Sequence, residues 1–355
     1  MYECNDNLEG KRLERRKFIN AAMKVAIAGG FLSGVGWSVL KRKRNLFEVR
    51  RERTLMQTSV AVTCLASDLE MADMAIEAAF SRMSTVAAVL TRFDPQSPVS
   101  QLNRNGYLPY MPASLREVLQ HALAISKSTD GAFDVSVLPV LNYVESLTRP
   151  VTLTQNERDR IGQWDRLVNY RQILLGASDV RLTQPGMAIT LDGIAKGYVV
   201  DQGVAALKAS GIEYGLIDAG GDVHAFTGSD SDRHWNVGIV DPHDVSRVAA
   251  VVQVRNAALS TSGNYRIFFS ADRRLFHILN PRTGYSPTTY SSVTVMADKS
   301  VLADGMSTAS FSMALAQLKA GMASQNHQWL AFSRAGDHCW RSSELPLIAG
   351  SAEIA

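Results

Sequence analysis

Short runs of alternating apolar residues fill most of the chain after residue 214, and this pattern constrains the fold more than any other. Turn residues separate the runs, as is typical of short strands in an antiparallel sheet. A smaller strand region around a turn at Gly176 is predicted within 166–183. The pattern predicts strands at residues 58–65, 215–218, 235–240, 249–254, 258–262, 265–270, 275–279, 290–297, 328–333 and 338–342.

Apolar residues at helical spacing predict helices that would cover such a sheet. The clearest is a helix over residues 69–90, for which Asp68 is a suitable N-cap. The polar segment 93–106 is predicted to be a structured loop. Long helices beside a large, mostly antiparallel sheet predict an α+β fold. The other predicted helices are 114–128, 154–162, 195–210 and 300–318.

The net charge of +3 is unevenly distributed along the 355 residues. Residues 1–53 carry 13 Lys and Arg against 6 Asp and Glu, so the rest of the chain is slightly acidic. The body therefore lacks the basic surface typical of nucleic-acid-binding proteins, and no nucleic-acid partner is expected. The length and the 46% hydrophobic content suit one large domain or two closely packed halves.

The basic first 53 residues resemble an export leader. Arg15-Arg16 precedes a modestly apolar run at 25–40, which is the order found in twin-arginine signals that export folded proteins. No clear Ala-x-Ala cleavage site follows, so either cleavage is atypical or the segment stays as an inner-membrane anchor. A periplasmic protein is therefore expected, and a cytoplasmic amphipathic arm is the alternative. The predicted boundaries are a leader at 1–53, a body at 54–345 and a tail at 346–355.

Asp192 and Gly193 form a tight turn between a predicted strand at 187–191 and the helix that begins near Ala195. A strand-to-helix turn aims free N–H groups and the positive end of the helix dipole at one point, where a phosphate would bind. Lys196 would add a positive charge there. The alternative is an ordinary β–α junction with a surface lysine.

Two further turns, at 218–222 and 260–265, hold more polar groups than a turn needs. Paired glycines in the first would let a ligand approach the backbone, and the carboxylate after them could bond a ribose or a metal-bound water. Hydroxyls before a glycine in the second suit phosphate oxygens. Plain turns are the alternative for both. The candidate binding residues are Gly220, Gly221, Asp222, Thr261, Ser262 and Gly263.

His277 and Asp304 are the candidates for catalytic chemistry. His277 titrates near neutral pH and could take a proton from an attacking hydroxyl, although a lone histidine at a strand end is more often structural. Asp304 and Thr308 are four residues apart and therefore share a face of the predicted helix. A carboxylate and a hydroxyl on one face form a hard-oxygen site that suits Mg²⁺. The alternative is a helix-start acid and an exposed threonine.

Together these segments resemble the ApbE family, the FAD:protein FMN transferases, along nearly all of residues 56–342. The resemblance implies a single T-fold-like α+β domain with a large, mostly antiparallel sheet. The export leader is similar to that of the NosX-like members that accompany nitrous-oxide reduction. The motifs that carry the resemblance are Met56-Gln57-Thr58, Ser97-x-x-Ser100-x-x-Asn103, Gly131-Ala132-Phe133-Asp134, residues 191–198, Gly220-Gly221-Asp222, residues 261–265, His277 with Pro281-Arg282-Thr283-Gly284, and Asp304 with Thr308.

The resemblance implies that FAD is the substrate and Mg²⁺ the cofactor. Asp304, Thr308 and the carbonyl of Ala195 would hold the metal on the FAD pyrophosphate. A hydroxyl in a Ser/Thr-Gly-Ala-Thr-type sequence of an acceptor flavoprotein would attack the FMN-side phosphorus and release AMP, with His277 as the base. The residues implied in FAD binding are Met56, Phe93, Asn103, Asp134, Ala195, Lys196, Gly220, Gly221, Asp222, Thr261, Ser262, Gly263, Arg282 and Thr283.

Three positions depart from the family pattern. The family usually has Asp, a small or amide residue, and Gly where this chain has Asn280, Asp192 and Gln57. These departures bear on the geometry of FAD binding more than on the metal, whose side-chain ligands are both present. Two alternative functions stay open, namely Mg²⁺-dependent hydrolysis of FAD to FMN and AMP, and a periplasmic protein that only binds FAD.

Overall fold

The computed structural model describes residues 26–28, 38–43, 46–147, 154–229, 232–265, 267–269 and 275–348. Its strands are β1 (Ala26–Ala28), β2 (Ser38–Lys43), β3 (Leu46–Leu55), β4 (Thr58–Ala66), β5 (Tyr107–Leu108), β6 (Ile173–Leu175), β7 (Val180–Leu182), β8 (Tyr214–Ala219), β9 (Asp222–Phe226), β10 (Trp235–Val240), β11 (Val248–Val254), β12 (Ala257–Gly263), β13 (Tyr290–Ala297), β14 (Gln328–Ser333) and β15 (Cys339–Arg341). Its α-helices are α1 (Leu69–Leu90), α2 (Pro98–Asn105), α3 (Ala113–Ser128), α4 (Leu138–Ser146), α5 (Gln155–Asp165), α6 (Ala195–Ala209), α7 (Ser300–Phe311) and α8 (Leu315–Ser324).

A nine-stranded sheet organises the protein, in the order β15-β14-β13-β12-β9-β8-β4-β3-β2. Every neighbouring pair in it is antiparallel. Two three-stranded sheets, β1-β10-β11 and β5-β7-β6, lie beside it. The predicted α+β fold with a large antiparallel sheet and packed helices is therefore confirmed.

Side-chain alternation gives each face of the large sheet its own core. On β9, Phe226 joins the main core, which contains the buried faces of α1, α3, α6 and α7. Val223 and Ala225 point the other way and pack with Val237 and Val252 of the β10–β11 pair. The helices thus cover one face of the sheet and a strand pair covers the other.

Strand pairing continues past both predicted ends of the body. β3 begins at Leu46 and pairs with β4 from Phe47–Ala66 to Leu55–Thr58, so the last residues of the predicted leader lie in the nine-stranded sheet. β3 is paired on both sides, with β4 and β2, and its Arg51 bonds Asp73 of α1 at 2.6 Å. At the other end Leu347 forms a bridge with Val252, which places part of the predicted tail against β11.

The twin arginine of the predicted leader lies outside the described residues. None of the described helices is long and apolar enough to cross a membrane.

Three local predictions differ from the structure. The segment predicted as a loop contains α2, which Ser97 caps and Gly106 ends with φ 65°, a start-and-stop pattern that its polarity concealed. The helix predicted over 300–318 is two helices, α7 and α8, because the chain turns at Ser312. Strands predicted at 265–270 and 275–279 are reduced, in the described residues, to a bridge between Phe268 and Phe276.

Candidate active site

Helices α6 and α7 approach each other most closely at Gly197. A Cβ atom at this position would lie 2.2 Å from the Ser300 carbonyl oxygen and 2.8 Å from Cβ of Asp304, so only glycine fits. Gly193, one turn earlier, similarly faces Thr308, whose Oγ1 would lie 3.1 Å from an added Cβ. These contacts place the start of α6 beside the middle of α7, with the helices running in opposite directions.

Asp304 is buried where the two helices meet, with only 3% of its surface exposed. Its Oδ2 accepts a 2.9 Å hydrogen bond from the Gly197 N–H, in the first turn of α6, where a negative charge is favoured. Burial, and then repulsion from Asp222, raise the pKa of Asp304 to about 7, against the opposing effects of Lys196 and the Gly197 N–H. A carboxylate in this position favours the approach of a cation.

Lys196 forms an ion pair with Asp222, the first residue of β9. Asp222 is 1% exposed, and it also accepts a hydrogen bond from the Ser260 hydroxyl on β12. The lysine is one third exposed, so its ammonium group lies at the boundary between the buried carboxylate and solvent. Lys196 is therefore not a plain surface lysine, and its charge is not reserved for a ligand, because it already pairs with Asp222.

Hydroxyl groups from β12 and α7 complete a cluster of oxygen atoms. The Ser262 hydroxyl lies 2.8 Å from that of Ser307 and 3.3 Å from that of Thr308. We call Asp222, Ser262, Asp304, Ser307 and Thr308 the oxygen cluster. The prediction that Asp304 and Thr308 share a helical face is consistent with these contacts. Ser307 was missed, although its spacing of three from Asp304 indicates the same face.

Thr261 lies on the opposite side of β12 from the oxygen cluster. Its hydroxyl is 2.8 Å from the hydroxyl of Thr294 on β13, while Ser260 and Ser262 on either side face α7. The strand period of two separates the three hydroxyls that the sequence grouped as one turn. The side chain of Thr261 is therefore not part of the cluster, although its backbone N–H donates to Gly221 at 3.3 Å.

The segment 187–191 before α6 is not a strand, which corrects the strand prediction. Its backbone is held by other partners. The amide side chain of Asn103 both accepts from the Ile189 N–H at 2.7 Å and donates to the Ile189 carbonyl at 2.9 Å, and Thr190 N–H donates to Val135. Asn103 thus positions the approach to α6, and its predicted contact with FAD stays a prediction.

The start of α6 offers fewer free N–H groups than the sequence predicted. Ile194 and Ala195 both donate to the Leu191 carbonyl, at 3.0 and 2.7 Å, and Gly197 donates to Asp304. The turn is therefore closed by its own backbone and by a carboxylate from α7. Ala195, predicted to give its carbonyl to a metal, is the first residue of the helix and is buried.

Asp134 is used within the fold. It is 7% exposed and accepts from the Ser136 N–H and hydroxyl at 2.9 and 2.6 Å and from the Tyr170 N–H at 2.8 Å. Burial raises the pKa of its carboxyl, and these hydrogen bonds oppose the rise. These contacts give it a structural role that the prediction of FAD binding did not include.

Met56 and the glycines of the 218–222 turn lie at one end of the sheet. Met56 and Gln57 form the β3–β4 hairpin turn with φ of 51° and 60°, the left-handed region that favours glycine. Gly220, with φ 66°, packs so closely on Thr58 that an added Cβ would lie 2.3 Å from its hydroxyl. Gly263 likewise adjoins the ring of Tyr265.

His277 and the 280–284 turn are held by contacts within their own part of the fold and with Asp130. His277 is half-buried, and its Nδ1 lies 3.4 Å from the Ile267 carbonyl. Asn280 accepts from the Arg282 N–H at 2.9 Å through its side-chain oxygen, a contact that an Asp would also make. Arg282 donates to the Asp130 carbonyl at 2.6 Å. Thr283 lines a cavity of about 260 Å³ beside this turn.

Phe93 is exposed over 58% of its surface, so its ring is not part of the core. The guanidinium of Arg92 stacks on its ring at 4.3 Å. Arg92 also bonds Asp192 at 2.7 Å and Glu145 at 2.9 Å. The carboxylate of Asp192, one of the departures from the family pattern, thus pairs with an arginine 100 positions earlier. No local sequence pattern could predict this pairing.

In the described residues, no group of three or more His, Cys, Asp or Glu side chains is arranged to hold a metal ion. The oxygen cluster instead offers carboxylate and hydroxyl oxygens as metal ligands. Ala195, whose carbonyl is a further candidate, directly precedes Lys196 and Gly197, which contact Asp222 and Asp304 of this cluster. Mg²⁺ binds through one or two carboxylates and keeps waters and phosphate oxygens as its other ligands. The buried carboxylate of Asp304 and the hydroxyl of Thr308 fit that ion.

Comparisons with known proteins agree with this architecture. The family model of the ApbE family matches residues 56–332. The FAD:protein FMN transferase of Treponema pallidum is 32% identical over 67% of this chain and 70% of its own length, and that of Haemophilus influenzae is 28% identical over 64% and 69%. The crystal structure of the ApbE protein of Thermotoga maritima matches with a TM-score of 0.74 and 25% identity, over 83% of this chain and 97% of that one. The flavin transferase ApbE of Vibrio cholerae has the same fold, with a TM-score of 0.70.

The fold is that of the ApbE proteins of known structure. The chain belongs to the ApbE family. The family predicted from the sequence is confirmed, and with it the class of enzyme to which its relatives belong.

Proposed function

We propose that this protein is an Mg²⁺-dependent transferase that moves FMN from FAD onto a Ser or Thr hydroxyl of an acceptor flavoprotein. The observation that carries the proposal is the position of Asp304, a buried carboxylate that interacts with Asp222 and lies on the same helix as Thr308, whose hydroxyl is 3.3 Å from that of Ser262. Its relatives in Treponema pallidum and Haemophilus influenzae are named for this activity.

Asp304, Thr308 and the carbonyl of Ala195 are the proposed ligands of the metal. Burial, and then repulsion from Asp222, raise the pKa of Asp304, and a divalent cation would stabilise both carboxylates in their charged form. When bound, Mg²⁺ would polarise the pyrophosphate of FAD and stabilise the charge that develops on the departing AMP.

The chain's own residues would position the two reactants. Lys196, paired with Asp222 and one third exposed, presents its charge beside the start of α6, where the phosphates would lie. The exposed ring of Phe93 is available for stacking on a ring of FAD. His277 would accept the proton of the attacking hydroxyl, the new oxygen–phosphorus bond would form at the FMN-side phosphate, and the bond to AMP would break.

We further propose that the enzyme acts in the periplasm, on an acceptor with a Ser/Thr-Gly-Ala-Thr-type site. Support for export comes from the Arg15-Arg16 pair and the apolar run after it. Support for a protein acceptor comes from the names of the relatives.

The test mixes the purified full-length protein with FAD, Mg²⁺ and a fluorescently silent peptide that carries the acceptor sequence. Flavin fluorescence on the peptide, together with released AMP, is the expected result. A peptide with Ala in place of the acceptor hydroxyl residue is the control and should stay unlabelled. AMP release without labelling would instead indicate hydrolysis of FAD, and tight FAD binding with neither product would indicate a storage protein.

A further inference from the structure

Helices α6 and α7 cap each other. Neither helix has a capping hydrogen bond from its own N-cap side chain, at Ile194 for α6 and Lys299 for α7. At the start of α6 the N–H of Gly197 donates to Asp304 of α7. At the start of α7 the cap is Asp201 of α6.

Asp201 accepts two hydrogen bonds from the first turn of α7. Its Oδ1 lies 2.9 Å from the Ser300 nitrogen and its Oδ2 lies 3.0 Å from the Val301 nitrogen. Bonds to a carboxylate are stronger than bonds between neutral groups, and a negative charge at a helix N-terminus is favoured by the dipole. Asp201 therefore fixes the end of α7 opposite to the oxygen cluster.

His224 holds Asp201 in turn. Its Nδ1 lies 2.8 Å from Oδ1 of Asp201 and 3.2 Å from the hydroxyl of Ser300, and the ring is 7% exposed. His224 and Asp222 are two residues apart on β9 and share its helix-facing side. One strand thus contacts α6 at two points, through Lys196 near the oxygen cluster and through Asp201 in the middle of the helix.

The position of Asp304 depends on both ends of this arrangement. Asp304 follows Ser300 by four residues, or about 6 Å along the helix axis, because each residue of a helix rises about 1.5 Å. The closest approach, at Gly197, involves both Ser300 and Asp304 and coincides with the cap of α6, one turn before Asp201. A short helix moves as a unit, so any slip of Ser300 along α6 is transmitted to Asp304 and Thr308.

We propose that Asp201, held by His224, is a positioning residue for the metal-binding carboxylate of Asp304. It sets the register of α7 against α6. Through that register it sets the distances from the start of α6 to the Asp304 carboxylate and to the Thr308 hydroxyl. The inference rests on the proposed function for its consequence in metal binding, and on the described contacts alone for its consequence in helix register.

The first test is independent of activity and measures hydrogen exchange at the Gly197 amide, whose N–H donates to Asp304. In Asp201→Ala and in the milder Asp201→Asn, exchange at Gly197 should accelerate about tenfold or more, because the register that keeps this bond is loosened. Thr154→Ala is the matched control, since it removes a helix cap in α5, away from α6 and α7, at a similar cost of about 1 kcal/mol. Exchange at Gly197 that accelerates no more in Asp201→Asn than in Thr154→Ala would overturn the proposal.

The second test measures the Mg²⁺ concentration that gives half of the maximal rate of FMN transfer, and the affinity for Mn²⁺ as a paramagnetic probe. Residues that orient metal ligands typically change metal affinity about 10- to 100-fold, so Asp201→Asn should need about tenfold more Mg²⁺ and recover most of the wild-type rate at saturation. An unchanged Mg²⁺ requirement would contradict the consequence for the metal. A wild-type protein that binds Mn²⁺ without transferring FMN would refute the proposed function alone, whereas one that does not bind Mn²⁺ would overturn both.

Discussion

The Gly197 N–H and the Asp304 carboxylate are joined by a 2.9 Å hydrogen bond at a point where the helices leave no space for a side chain. The same contact that satisfies the start of α6 therefore also fixes the carboxylate proposed to hold Mg²⁺. Close packing and ligand geometry depend here on one glycine.

Gly197→Ala should separate the two helices. The added methyl would lie 2.2 Å from the Ser300 carbonyl oxygen, which is backbone and cannot rotate away. We expect a loss of about 3 kcal/mol in the free energy of unfolding, at the upper end of overpacking, and loss of FMN transfer. Urea unfolding and the transfer assay measure both effects.

Gly162→Ala is the matched control for that change. Gly162 lies in α5, is exposed, and has no atom within 4 Å of an added Cβ. It should gain about 0.5–1 kcal/mol because alanine is the better helix former, and transfer should be unchanged. A Gly197→Ala protein as stable and active as this control would show that the helices do not depend on their close approach.

Gln57→Gly should stabilise the protein. Gln57 adopts φ 60° in the β3–β4 turn, a conformation that costs a side-chain-bearing residue about 1–2 kcal/mol. After subtraction of the greater flexibility of glycine in the unfolded chain, a gain of about 0.5–1 kcal/mol is expected in thermal or urea unfolding.

The control for this change is Gln120→Gly in the exposed middle of α3, which should lose about 1 kcal/mol. If both substitutions destabilise the protein alike, the turn at Gln57 is not strained.

Asn280→Asp should leave the 280–284 turn intact. The side-chain oxygen of Asn280 accepts from the Arg282 N–H at 2.9 Å, and a carboxylate oxygen can accept the same bond. The free energy of unfolding should change by less than about 0.5 kcal/mol, whereas Asn280→Ala should lose about 1 kcal/mol with the hydrogen bond. A large loss of stability in Asn280→Asp would mean that the turn requires the amide nitrogen.

Asp134→Ala should destabilise the fold without changing the affinity for FAD. The substitution removes the acceptor of the buried Ser136 and Tyr170 N–H groups, which should cost about 3 kcal/mol. Asp68→Ala, which removes the exposed cap of α1, should cost about 1 kcal/mol. FAD titration below the unfolding temperature separates the two roles, because a direct ligand contact would weaken binding in the folded Asp134→Ala protein.

Local periodicity predicts most of the elements, but not the contacts between them. The spacing of Asp304 and Thr308 predicts a shared face because a helix repeats within four residues. The Gly197–Asp304 bond joins positions 107 apart, and the Lys196–Asp222 pair joins positions 26 apart, so neither follows from spacing. For these, only the family resemblance indicated that the segments belong to one site.

The segment 187–191 shows why a correct pattern can give a wrong element. Its alternation is that of a strand, yet the backbone of Ile189 bonds the side chain of Asn103, 86 positions earlier, and not a neighbouring strand. Thr261 shows the converse. Its run of hydroxyl residues suggested one turn, but these residues lie on a strand, so their side chains alternate between the two faces of the sheet.

The central claim is that the carboxylate of Asp304 binds the metal used in FMN transfer, and Asp304→Asn tests it most directly. Asparagine keeps the size of the side chain and an oxygen for the Gly197 N–H, so the unfolding temperature should stay close to that of the wild type, while the negative charge is lost. Measured over a range of Mg²⁺ concentrations, transfer of FMN to the acceptor peptide should fall by at least about 100-fold, and added Mg²⁺ should restore little of it. A folded Asp304→Asn protein that labels the peptide at the wild-type rate with the wild-type Mg²⁺ requirement would contradict the account.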